Sequence, residues 1–201
     1  MKKIATSLAL FLASQLACAQ TVYNGYDAYY QSRKGIFRKA ASLRIDGTRN
    51  AVIHWQNQRI ELKRSKPFPR EFTMNDDVGS HAISFENFPY ACIEGKSSSA
   101  SGTAVRHTSV YLLDAKEGGK VRAYKLPSLF AACSEVRLDR QGRPLFFDAD
   151  YDYEKGSESA VGVILREYVL NNREFVSTGH SVQTRFVEPE NVWKFEVAAE
   201  Q

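Results

Sequence analysis

Histidine is too sparse in this chain to build a metal site. His54, His81, His107 and His180 lie far apart, with no H-x-x-x-H or H-x-H spacing of the kind zinc takes. Cysteine is equally scarce. Three are present and none forms a C-x-x-C pair, which removes thioredoxin-type redox chemistry and cysteine-rich zinc modules. Phosphate loops are absent too: Gly95-Lys96-Ser97 has the right ending, but Tyr90 stands where the leading glycine belongs. Thr178-Gly179-His180-Ser181 is half of a nucleophile elbow, with Gln183 in place of the second glycine and no strand-to-helix context. No segment carries a long helical period. The expectation is therefore an all-β protein without catalytic machinery and without a resident cofactor.

The first residues say where such a chain goes. Lys2 and Lys3 precede an apolar run from Ile4 to Leu16 and a small-x-small exit at Ala17-Cys18-Ala19, the pattern of a secretory signal peptide cleaved after Ala19. The run is shorter than the roughly 20 residues a membrane span needs. Lipidation at Cys18 is the alternative, and Gln15 stands where such sites usually place leucine. Residues 20–201 then form one domain, periplasmic or secreted, without a membrane-spanning helix. Two lysines leave with the peptide, so 25 basic residues face 23 acidic ones. Cys92 and Cys133 remain, and an even pair in an exported chain implies one disulfide; two separate buried thiols are the competing arrangement.

Turn dipeptides and alternation mark the strands. Ala41–Ile45 runs into Asp46-Gly47, Ala51–Trp55 puts Ala51, Ile53 and Trp55 on one face, and Gln56-Asn57-Gln58 leads to a strand with Ile60 and Leu62 inward. Further strands are expected at Glu71–Met74, His81–Phe88, Ala104–Leu113 and Val121–Leu126, with a serine-rich loop from Gly95 to Gly102. Val110–Leu113 is apolar on both faces and predicts a doubly covered central strand. Val161–Leu170, a turn at Asn171-Asn172, Arg173–Thr178, Val182–Val187 and Val192–Val197 complete the chain. Short strands at this spacing predict an antiparallel sandwich, barrel or propeller-like sheet array of consecutive hairpins.

The densest acidic run lies between Cys133 and Glu154. Alternation puts Leu145, Phe147, Ala149, Tyr151 and Tyr153 on one side of a strand and Phe146, Asp148, Asp150, Asp152 and Glu154 on the other. Same-face residues on a strand are about 6.6 Å apart, so Asp148, Asp150 and Asp152 are expected to line an outward groove. D-x-D-x-D opens like a calcium loop, but Tyr153 replaces the glycine and Ser159 the final glutamate, which leaves only a weak case for a calcium ion. Paired carboxylates at this spacing also suit an inverting glycosidase. The plainest alternative is a charged strand face that keeps an edge from pairing. Asp139-x-x-Gly142-Arg143, just upstream, resembles turns of many β-repeat proteins, and five residues are too few to carry a family name.

Charge is unevenly divided. Residues 31–70 hold eleven Lys or Arg against Asp46 and Glu61 alone, so the rest of the secreted chain is acidic. The two halves either neutralise each other or steer an oppositely charged partner. Tyr23, Tyr26, Tyr29 and Tyr30, and the pair Tyr151 and Tyr153, are core or a binding face. The sequence thus points to a non-enzymatic envelope binding protein with a protein partner, an inhibitor or immunity protein, using Asp148, Asp150, Asp152, Tyr151 and Tyr153 as its contact face. A glycan-binding protein or hydrolase using the same aspartates, or a part of an envelope assembly, are the alternatives. No nucleic-acid recognition module is visible.

Overall fold

The computed structural model describes residues 22–24, 37–40, 42–69, 78–79, 82–95, 106–116, 119–188, 191–192 and 194–198. The expected signal peptide, Tyr26, Tyr29, Tyr30, the expected strand at Glu71–Met74 and the expected serine-rich loop beyond Gly95 lie outside them. Among the described residues no helix is long and apolar enough to cross a membrane.

Among the described residues fifteen strands follow one another: β1 (Val22–Asn24), β2 (Arg38–Lys39), β3 (Arg44–Asp46), β4 (Val52–Trp55), β5 (Gln58–Glu61), β6 (Lys66–Pro67), β7 (Ile83–Asn87), β8 (Tyr90–Gly95), β9 (Ser109–Asp114), β10 (Arg122–Lys125), β11 (Arg137–Leu138), β12 (Pro144–Tyr153), β13 (Ala160–Asn171), β14 (Glu174–Phe186) and β15 (Lys194–Val197). They form a three-stranded sheet ordered β3-β4-β5, a six-stranded sheet ordered β2-β7-β8-β9-β10-β6 and a second six-stranded sheet ordered β1-β15-β14-β13-β12-β11. The protein is all-β, as its turn spacing and alternation predict.

The sheets stack in three layers, with β9 as the clearest witness. Val110 and Leu112 pack into one core and Tyr111 and Leu113 into another. All four are fully buried, the doubly covered strand expected from their apolar run. Towards the small sheet, Ile45, Ile53 and Ile60 stand side by side in register and close over Ile93 and Leu113 with Trp55 and Leu62. On the other side, Cys92, Leu112, Tyr124 and Leu126 meet Phe146, Leu170 and Phe175 of the second large sheet. Each such apolar side chain contributes about 1.5–3 kcal/mol on burial.

The Cys92–Cys133 disulfide lies in this second core, with an S–S distance of 2.02 Å. It ties β8 to the short 3-10 turn Cys133–Glu135 that precedes the acidic strand. The Cys133 amide also donates to the Glu94 carboxylate at 2.6 Å, so the crossing is held by a covalent and a polar link.

Three local expectations are corrected. The turn between β13 and β14 is Asn172-Arg173 rather than Asn171-Asn172, with both residues at positive φ. Gly179 does not end a strand. At φ +82° it carries a bulge in which four steps of β14 oppose two of β13, and the strand continues to Phe186. Finally, β12 does not have one inward and one outward face. Phe146 packs between the large sheets while Phe147 packs into a third cluster on the opposite side, with Val163, Leu165 and Phe195.

Candidate functional site: a cation-lined cleft

The acidic strand is where the sequence directs attention, and its carboxylates do not form the expected groove. Asp148 is only 6% exposed, because β12 is covered on both faces at that level. Asp150 accepts from the Arg166 guanidinium at 3.3 Å and Asp152 from the Gln183 side-chain amide at 2.7 Å. These partners come from β13 and β14 of the same sheet, not from the basic residues 31–70. Among the described residues no group of three or more His, Cys, Asp or Glu side chains is placed to hold a metal ion. Tyr151 is packed too: its hydroxyl accepts from Arg106 at 2.7 Å, and its ring meets Phe130 edge-on at 6.1 Å. Tyr153 stays 54% exposed beside it, and the Asp150 side chain is about half exposed despite its partner.

A different region gathers charge without cancelling it. A cleft of about 720 Å3 opens where β5, β6, the strand β10 and the β13–β14 turn converge. Its size is in the range of ligand pockets. Arg59, Arg64 and Lys66 line one wall, Lys120 and Arg122 the second, and Arg173 the third. Glu61 and Glu174 are the carboxylates among its lining residues.

The sequence builds the walls by short-range means and joins them by long-range ones. β4 and β5 turn through Gln56 and Asn57, both at positive φ, which an asparagine tolerates well. Gln58 then uses both ends of its amide: Nε2 donates to the Gly119 carbonyl at 2.7 Å and Oε1 accepts from the Val121 amide at 2.8 Å. This fixes the small sheet to the start of β10. β6 pairs with β10 in parallel, Lys66 opposite Tyr124. The Lys66 ammonium donates to Glu174 at 2.7 Å and reaches the Arg173 carbonyl at 3.4 Å, which pins the β13–β14 turn to the same corner.

The two carboxylates respond as this field requires. Hydrogen bonding from Arg59 holds Glu61 below the ordinary glutamate pKa; burial opposes that, and Arg64, Arg59 and Lys63 add to it. The bond and charge of Lys66 lower Glu174 in the same way. Both acids are therefore ionised at neutral pH, and the six cations around them still leave the cleft positive. The charge continues onto the outer face of the small sheet, where Arg44, His54 and Arg59 stand opposite one another across β3, β4 and β5. Asp46 accepts there from His54 Nε2 at 3.0 Å and from Arg44 at 3.1 Å. Chemically, this surface suits an acidic ligand held by charge-assisted hydrogen bonds.

Sequence reasoning found the basic segment but not its completion by Lys120, Arg122, Tyr124 and Arg173. A signal for the first three exists: in Lys120–Lys125 they alternate onto one side, opposite Val121 and Ala123. Arg173 has a weaker signal, an arginine directly after the turn-forming pair Asn171-Asn172. No protein-family model, curated protein or solved structure matches the chain.

Proposed function

We propose that this chain is an exported, non-enzymatic binding protein of the bacterial envelope, an inhibitor or immunity protein that blocks an enzyme or toxin by receiving an acidic part of it in the cleft. The observation that carries this is the cleft's construction: cations from separated stretches of sequence, on backbone locked by the Gln58 amide, the β6–β10 pairing and the Lys66–Glu174 contact. A rigid frame lowers the entropy lost on association, so more of the contact energy appears as affinity. Excess cationic charge speeds the encounter with an acidic partner and rejects a basic one.

The competing glycan reading rests on Asp148, Asp150 and Asp152, one of which is buried and two of which are bonded within their own sheet. The deciding experiment is capture of protein partners from envelope extract on immobilised protein at low and raised salt. The expected result is a partner held at low salt, released by salt, and inhibited in its own activity when the protein is added. Recovery of no protein partner at low salt sinks the reading.

A further inference from the structure

Two residues bordering the cleft are costly where they stand, for unrelated reasons. The first is Tyr124. Its side chain is 2% exposed, it lines the cleft, and its hydroxyl has no hydrogen-bond partner. Buried hydroxyls are normally bonded, so an orphan of this kind calls for a ligand or another explanation. Burial is the main reason its pKa is raised, with Asp114 adding to it, while Arg122 and Arg173 pull it back down. Both guanidiniums therefore lie near the ring's polar end, and Arg122 is close enough for its hydrogen bonding to contribute, short of a well-formed bond. They are donors only, so the hydroxyl proton is left without an acceptor.

The second is Arg173, at φ +71° in the two-residue turn. That position favours glycine. The matching turn between β4 and β5 ends in Asn57, a residue that tolerates the left-handed region. Strain kept at a cleft, rather than relieved by the obvious substitution, is a mark of function.

We propose that the floor of the cleft is a subsite for one carboxylate of the acidic protein partner, which accepts from the Tyr124 hydroxyl and from the guanidiniums of Arg122 and Arg173. This rests on the binding reading above and names the group that enters first. The cleft is far larger than one carboxylate, so its outer part takes the chain that carries the group, with Lys120 and Arg64 at the rim.

The test uses the purified protein and a fluorescently labelled hexaglutamate peptide, with acetate, inorganic phosphate and a sulfated glycan as competitors. Tyr124→Phe is expected to weaken peptide binding at least fivefold and Arg173→Gly at least tenfold, while neither lowers the melting temperature; Lys120→Gln weakens it about twofold. If Arg173→Gly does not fold, Arg173→Asn serves in its place. Unchanged binding by Tyr124→Phe, or a loss that tracks a lower melting temperature, overturns the subsite. Displacement of the peptide by phosphate or the sulfated glycan at lower concentration than by unlabelled hexaglutamate overturns the carboxylate assignment. If an envelope partner is captured equally by wild type and Tyr124→Phe while hexaglutamate binds neither, the subsite falls and the binding reading stands. If no partner is captured, both fall.

Discussion

The acidic strand β12 and the cation-lined cleft are both charge clusters, yet the fold treats them in opposite ways. In β12 three acids, Asp148, Asp150 and Asp152, sit at alternate positions of one continuous segment, and β13 and β14 of the same sheet bond two of them: Arg166 to Asp150, Gln183 to Asp152. In the cleft the like charges come from separate segments, and the two acids among them are already bonded to Arg59 and Lys66. Density along the chain is thus a poor guide to charge presented at a surface. A local cluster invites its neighbours to neutralise it, whereas one assembled across long separations keeps an excess.

Removing what joins the two regions should have the largest effect. Cys92→Ala with Cys133→Ala opens a loop closed over a separation of 41 residues. The expected loss is about 4 kcal/mol, or roughly 8–16 °C in melting temperature. A loss under about 1 kcal/mol would mean the regions hold together without the bond. Next is Gly162→Ala, where a Cβ would lie 2.0 Å from the Thr184 carbonyl oxygen. Urea unfolding should show a loss of about 3 kcal/mol, confined to the β13–β14 side. Salt-sensitive partner binding in the folded fraction should persist.

The turn leading into β12 is expected to come third. Burial raises the pKa of Asp139, but the Arg143 amide and guanidinium and the Gln141 amide outweigh it and hold the carboxyl below its usual value of 3.8. Asp139→Ala removes acceptors at 2.7–2.8 Å and should lose about 1–2 kcal/mol. Because the native value is the lower one, this contribution is complete above the unfolded pKa and disappears as pH falls through the native one. Wild type should therefore lose stability below about pH 4 more steeply than the variant. Smallest of all is Asp150→Asn, less than about 1 kcal/mol for a half-exposed pair and no change in partner capture. Lost capture in that variant would return the contact face to β12 and break the contrast.

Much of the architecture was legible because it rests on short-range rules. Ile53 and Trp55 alternate inward, Val110–Leu113 is apolar on both faces, and Cys92 and Cys133 are the pair left once residues 1–19 are read as a signal peptide. What misled was the assumption that alternation means one wet face. At Phe146 and Phe147 the strand lies between two cores, so Asp148 is covered despite its polarity. The cleft was illegible for another reason: Lys66 meets Tyr124 and Glu174 only through sheet order and a parallel pairing, neither of which leaves a local mark.

That parallel pairing also sets a timetable. The hairpins β4–β5 and β13–β14 close over two-residue turns, but the corner holding Lys66 waits for partners 58 and 108 residues away. Distant contacts carry the largest loop-closure entropy and form late. During refolding, burial of Trp55 beneath the small sheet should be seen before capacity for an acidic ligand returns. A newly made chain would then pass through an interval in which it is compact and still unable to bind.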